Sequence, residues 1–442
     1  MIYDREEQIK FLFFSGDDMK KQYSSFLIGA ASAGHQVEGN NIYSDTWAQE
    51  YMKTGGYKEK SLDAADHYHT YREDMKKMHD AGLNAYRFSF EWARIEPQKG
   101  VFHEEEMLHY IDMVHACREY ELEPVITLLH FVCPKWLISE GGWESDKTPD
   151  FFARYVKYVC DHLKDENIKW IVTINEANMG TLIAGYIEKI MKHTDGAGLQ
   201  IGMDLASMAE REKETREENI AVFGCPEANV FTSPRSAHGD EIVRKAHRAA
   251  VKMIHETLPG TKAGISLSVR DLHYTEGGKE NADKDWEKDF LHYLPDMQED
   301  DFFGLQTYTR AVFDENGELD PAEGAEVTQM GYEYYPECAG NVIRRVHESF
   351  KKEIMITENG IATDDDQRRC DYIRTALKGV YDCIDDGIPV RGYMYWSMID
   401  NYEWQSGYSM KFGLMSLNRE TQEHTPKPSL AFLGSYTHME EE

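Results

Sequence analysis

Eight short apolar runs, at positions 26–31, 85–90, 125–130, 170–175, 263–269, 302–308, 353–358 and 392–397, punctuate an otherwise polar chain. Most are rich in Val, Ile, Phe or Tyr and show no polar alternation. That is the pattern of strands buried on both faces, where neither side meets water. Between them lie amphipathic stretches at 69–81, 104–120, 149–164 and 366–385. In the last of these, Tyr372, Ile373, Leu377, Val380 and Tyr381 recur at helical spacing. Buried strands alternating with amphipathic helices predict an α/β fold with a parallel sheet, and eight repeats predict closure into a single (β/α)8 TIM barrel.

Two stretches break the rhythm. Positions 179–261 and 309–340 are longer than a strand–helix unit requires, and the first is acidic in its middle. They predict long insertions after strands 4 and 6, at the face where such barrels carry their sites. With no internal repeat, linker or composition break, the expected organisation is an N-terminal extension over 1–22 and one barrel over 23–438. The first ~20 residues and the last four are expected to be disordered. The 442 residues suffice, since such barrels take about 250 residues and exceed 400 with insertions.

Charge narrows the partners. With 79 acidic and 48 basic side chains the net charge is −31. Such a surface repels phosphate backbones and anionic membranes, which argues against nucleic acid and lipid partners. No run approaches the about 20 apolar residues of a membrane span, and the apolar stretch at 11–14 is too short for a signal peptide. Seven scattered cysteines (Cys117, Cys133, Cys160, Cys225, Cys338, Cys370 and Cys383) include no C-x-x-C pair and are odd in number. Reduced thiols in a cytoplasm are the expectation. Association into a homo-oligomer is left open.

The candidate chemistry lies at the strand ends. Thr173-Ile174-Asn175-Glu176 and Ile356-Thr357-Glu358-Asn359-Gly360 are β-branched runs that each end in a glutamate. A barrel brings all strand ends to one face, so the two acids are expected to meet, and paired carboxylates are the machinery of glycoside hydrolysis. The same ends supply Gln36, Arg87, His130, Tyr308, Trp396, Glu403 and Trp404. Amides and carboxylates bind hydroxyls, and indoles lie against the apolar face of a sugar. Glycine-rich phosphate loops are absent. His67 and His69 form an H-x-H pair, but they precede a helix rather than follow a buried strand, so a structural or surface role is expected. No spacing predicts a metal or cofactor.

Motifs in one order tie these residues together: Gln36-Val37-Glu38-Gly39, Asp66-His67-Tyr68-His69, Tyr86-Arg87-Phe88-Ser89, Asn175-Glu176, Thr357-Glu358-Asn359-Gly360, and Tyr395-Trp396-Ser397 through Asp400-Asn401-Tyr402-Glu403-Trp404. From about Phe26 to Leu430 the chain resembles glycoside hydrolase family 1, the β-glucosidase and β-galactosidase family. The resemblance implies a retaining β-glycosidase, most simply a β-glucosidase acting on small glycosides or oligosaccharides. Glu358 matches the family nucleophile and Glu176 the general acid/base. Gln36, His130, Asn175, Tyr308, Trp396, Glu403 and Trp404 match positions that hold the nonreducing sugar, with Asn175 at the 2-hydroxyl, and Arg87 matches a residue beside the nucleophile. The implied mechanism needs Glu358 ionised, its pKa kept low by Arg87 and Tyr308, and Glu176 protonated near neutrality.

Two other readings are a 6-phospho-β-glucosidase and a non-catalytic sugar-binding barrel. The first is opposed by Glu403, where phospho-specific members usually lack an acid and use a nearby serine and lysine. The second is opposed by the two intact glutamates. The chain departs from the family at Ala177 (proline usual), Phe131 (tryptophan), Val132 (aspartate), Gln306 (asparagine) and His35 (tyrosine). Sugar epimer and aglycone are unassigned by the sequence.

Overall fold

The computed structural model describes residues 25–185, 187 and 205–438. The expected N-terminal extension and C-terminal tail fall outside the described residues. Twelve strands precede a short C-terminal hairpin: β1 (Leu27–Ala31), β2 (Ala85–Ser89), β3 (Glu123–Thr127), β4 (Trp170–Val172), β5 (Lys262–Gly264), β6 (Ser266–Ser268), β7 (Asp271–Tyr274), β8 (Phe302–Gln306), β9 (Arg310–Asp314), β10 (Gly317–Leu319), β11 (Glu353–Asn359) and β12 (Val390–Trp396). Nine of them form one sheet in the order β5-β4-β3-β2-β1-β12-β11-β8-β6, and every pair in it is parallel.

The sheet closes because its two end strands are consecutive in the chain. β5 pairs with β4 and β6 pairs with β8. Only Ile265 separates them, and its N–H is taken by Asp300 Oδ2 at 3.0 Å while its carbonyl accepts from Gly304. β5 and β6 are therefore one stave with a break, and the barrel has the eight staves that the sequence predicts. The run at 263–269, expected as one strand, is interrupted because a side chain replaces one rung of the ladder.

Two layers hold the barrel. Val125, Trp170, Phe302, Met355 and Met394 fill the interior floor, with the Trp170 and Phe302 rings 5.2 Å apart and edge to face. Their sequence neighbours Ile126, Ile171, Phe303, Ile354 and Tyr393 point outward and join the larger core beneath the helices. This is why the strand runs carry no polar positions: both faces are covered.

The expected insertion at 179–261 is shorter than it looked. Helix Ala237–Thr257, capped by Ser236, which accepts from the Gly239 N–H, packs along helix Thr148–Leu163 and is part of the barrel's own shell. The insertion proper ends before it and includes helix Leu205–Phe223. At the second insertion β9 pairs with β7 and β10 with β9 in a separate three-stranded sheet, an element the apolar pattern did not predict. His67 lies in the first turn of helix His67–Asp80. Its Nδ1 meets Asp74 Oδ2 at 2.9 Å and its Nε2 meets the Tyr86 hydroxyl at 2.9 Å, a buried structural network, while His69 is exposed beside Asp66.

Helices Cys338–Ser349 and Asp366–Asp385 cross at a pair of glycines. A Cβ built on Gly340 would lie 2.8 Å from the Gly379 Cα, closer than any real contact. Gly340→Val should force the helices apart and cost about 1–3 kcal/mol, read as a lower denaturation midpoint at unchanged slope.

Candidate active site

Arg87 is the fixed point of the site. It stands on β2 with its side chain inside the barrel and is completely buried. Its Nε donates to Thr127 Oγ1 at 3.0 Å, its Nη1 to the Thr357 carbonyl at 3.0 Å and to Glu358 Oε1 at 2.6 Å, and its Nη2 to Asn175 Oδ1. Three staves thus converge on one guanidinium.

Glu358 reaches that guanidinium through an irregularity. On β11, Met355 faces the barrel interior while Ile354 and Ile356 face the helices. Strict alternation would send Glu358 outward with the isoleucines. Between Ile356 and Glu358 the register of β11 shifts against β8, and between Ile356 and Asn359 it shifts against β12. The bulge re-aims Glu358 into the barrel. Its Oε2 then accepts from the Tyr308 hydroxyl at 2.5 Å, and its Oε1 accepts from Gln306 Nε2 at 3.0 Å. His130 Nε2 stands 4.0 Å away.

Glu176 follows β4 in left-handed backbone, at φ +40°. Its N–H donates to Ser266 Oγ at 3.1 Å, and the next N–H, of Ala177, donates to the Ser266 carbonyl at 3.0 Å. A proline at 177 would lack that donor, so the departure seen in the sequence serves a bond to the neighbouring stave. Glu176 forms no ion pair among the described residues.

The two carboxyls differ accordingly. Burial, then the Glu358 charge, push Glu176 up to about 8, against the weaker opposing pull of the Ser268 hydroxyl and Arg87. Burial also raises Glu358, while the Arg87 charge and the donors from Tyr308, Arg87 and Gln306 oppose it. The expectation of a depressed Glu358 is corrected: its donors offset burial without overcoming it. Glu403 behaves like Glu176. Burial and the Glu358 charge push it up to about 8, although Trp396 Nε1 donates to its Oε1 at 3.2 Å. Around neutrality Glu403 therefore carries a proton, and its repulsion of a phosphate is weaker than the sequence suggested.

A cavity of about 420 Å³ opens over these groups. Gln36, His130, Glu176, Tyr308, Glu358, Trp396, Glu403 and Trp404 all line it. Asn175 and Arg87 are fully buried beside them. Asn175 Oδ1 is occupied by Arg87 and Gln306, and its Nδ2 approaches His130 Nε2 at 3.3 Å. Trp396 stacks on His130 with centroids 5.5 Å apart, and Trp404 stacks on His35 at 5.9 Å and 3°. His35 is in turn held by Glu50 at 2.8 Å, so this departure from the family braces an indole of the cavity wall. Phe131 and Trp404 have left-handed backbones as well, at φ +67° and +47°.

Gln306 was missed as a site residue. Sequence reasoning noted it as a substitution but had no means to see that its Nε2 also meets Asn175 Oδ1, tying the two together. Its position two residues before Tyr308 on an inward-facing strand end was the available signal.

A family model for glycosyl hydrolase family 1 matches residues 19–442. A 1,4-beta-D-glucan glucohydrolase of Thermotoga neapolitana is 28% identical, over 93% of this chain and 97% of the relative. A 6-phospho-beta-galactosidase of Staphylococcus haemolyticus is 26% identical, over 93% and 97%. The crystal structure of a beta-glycosidase, BGL167, superposes with a TM-score of 0.83 at 39% identity, over 94% of this chain and 96% of that one.

Replacing Gln306 by leucine removes one of the donors that oppose the burial of Glu358. The Glu358 carboxyl should then titrate at higher pH than in the parent protein, followed by 13C NMR of labelled glutamate with Glu176→Gln as the common background. An unchanged titration would show that Gln306 does not act on this carboxyl.

Proposed function

Because the chain belongs to glycosyl hydrolase family 1, we propose that it is a retaining β-glucosidase that removes terminal nonreducing β-D-glucosyl residues, with Glu358 as nucleophile and Glu176 as acid/base. The observation that carries the assignment of roles is the asymmetry of the two acids. Arg87, Tyr308 and Gln306 donate to Glu358, whereas Glu176 lacks an ion-pair partner among the described residues and is pushed up to about 8.

The reaction follows from that difference. A Glu358 oxygen attacks the anomeric carbon as the bond to the leaving oxygen breaks, and that oxygen takes the proton of Glu176. The covalent glycosyl-enzyme is then opened by water. Glu176, now a carboxylate, takes a proton from the water, whose oxygen bonds to the anomeric carbon as Glu358 departs. Two displacements at one carbon return the original anomer. Asn175 Nδ2 and the wall of Gln36, His130, Trp396, Glu403 and Trp404 would hold the sugar by its hydroxyls and apolar face. A protonated Glu403 donates as well as accepts, so it can serve a hydroxyl in either sense.

The phospho-sugar reading has a relative in its favour. It is disfavoured by the walls: no lysine or arginine is among the described residues that line the cavity. A phosphate dianion buried without a cation is costly. A cytoplasmic setting is part of the proposal, supported by seven cysteines that are all unpaired.

Two tests follow. Glu358→Ala should abolish cleavage of a chromogenic β-glucoside, and Glu176→Ala should lower kcat/KM for alkyl glucosides by about 10²–10⁴-fold while sparing kcat/KM for those with an acidic phenol, which leaves without a proton. For the latter kcat should still fall, because the water step has lost its base. Full activity in Glu358→Ala would remove the nucleophile assignment. The pH profile should be a bell. Glu176 must be protonated, so kcat/KM falls as pH rises through about 8. Glu358 must be ionised, so activity falls again in acid, at a pH above that of a free carboxyl because burial raises this group. Loss of the alkaline limb in Glu176→Gln, measured on a phenyl glucoside, checks the first half.

A further inference from the structure

The cavity changes character from its floor to its mouth. The polar groups come from the strand ends, whereas the residues contributed by the two insertions are mostly apolar. Beyond Glu176 the chain enters a helical stretch at 179–185, where Met179 and Ile183, one helical turn apart, both line the cavity. Four residues further on, Ile187 continues the apolar spacing and is 40% exposed. From the second insertion, a turn closed by the Val327–Glu333 bridge presents Met330, which lines the cavity while 44% exposed. Phe131 adds a ring held between Trp404 (5.6 Å) and Phe231 (5.9 Å), with no N–H to offer a hydroxyl.

Among the described residues, the polar groups of the cavity lining beyond the sugar wall are Thr46, Tyr57, Thr232, Tyr332 and Gln405, and two of them are already engaged. The Thr46 hydroxyl donates to Asp45 Oδ1 and the Tyr57 hydroxyl to Gln49 Oε1, each at 3.3 Å. A second sugar ring has hydroxyls all round its rim, and each one buried without a partner loses affinity. An alkyl chain or aromatic ring has no such requirement and gains by leaving water. Methionine suits this task because its flexible thioether adapts to ligands of different shape.

We propose that Met179, Ile183, Met330 and the Phe131 ring form an apolar aglycone site that selects alkyl and aryl β-glycosides over disaccharides. The inference rests on the proposed glycosidase reading and goes beyond it in naming the leaving group. The insertions thus decide what the enzyme cleaves from glucose, while the strand ends decide that it is cleaved.

The test compares kcat/KM for hexyl β-D-glucoside, cellobiose and methyl β-D-glucoside, in the parent and in Ile183→Ser and Met330→Ser. Hexanol is a poorer leaving group than a sugar hydroxyl, so intrinsic reactivity favours cellobiose. A preference for the hexyl glucoside by about tenfold or more is the expected result. Each variant should lower the hexyl-to-methyl ratio several-fold. Cellobiose cleaved as well as or better than the hexyl glucoside, or ratios unchanged in both variants, would overturn the site. If no β-glucoside were turned over, the proposed function would fall. Calorimetry would still decide the site, because equal affinity of the parent for hexyl and methyl glucosides would exclude it.

Discussion

Three carboxyls line one cavity and, among the described residues, one guanidinium lies buried directly against it, and that shortage of positive charge organises the site. Ionising Glu176, Glu358 and Glu403 together would place three like charges in a volume of low polarity, at a high cost in repulsion and lost hydration. Arg87 acts on Glu176 only as a weaker opposing pull and is bonded directly to one acid. It touches Glu358, so the negative charge settles there, and the other two acids keep their protons up to about pH 8. The division of labour between a charged acid and a protonated one is therefore a consequence of where one arginine stands. Its position is fixed in turn by contacts to three other staves through Thr127, Asn175 and Thr357.

Most of the barrel was legible in the sequence because strands covered on both faces must be continuously apolar. The eight runs fall on the eight staves for that reason. Their ends were less legible. The predicted runs at 125–130 and 170–175 run past the ends of β3 and β4 at Thr127 and Val172, although the staves still exchange backbone bonds there, as from the Asn175 N–H to the Leu129 carbonyl. The break at Ile265 is invisible to a hydrophobic pattern, as it depends on an aspartate 35 residues later. Helix Ala237–Thr257 was absorbed into an insertion because loop length alone does not say where an inserted segment rejoins the repeat. The small sheet of β7, β9 and β10 is half exposed and lacks the signature of a buried strand.

Within the site, residue identity was readable and orientation was not. The residues named from motifs line the cavity or lie directly beside it, because the C-terminal ends of all staves face one way. Nothing in Ile354-Met355-Ile356-Thr357-Glu358 signals the bulge; read as an unbroken strand, it would turn the nucleophile candidate towards the helices. Nor does sequence price burial. It led to a low pKa for Glu358 from the presence of Arg87 and Tyr308, and to a fixed anion at Glu403, because both inferences counted neighbours without counting the loss of water.

The left-handed backbones of Glu176, Phe131 and Trp404 have a wider meaning. A bulky L-residue held in that conformation costs about 1–3 kcal/mol, and all three line the cavity. The surrounding barrel must bear that load, so the wide, well-packed core is partly a reserve drawn on by a few loop residues. A sequence free to drift toward greater stability would exchange these positions for glycine and relax. Large side chains at these three positions mark places where this molecule gives up robustness for the shape of its cavity.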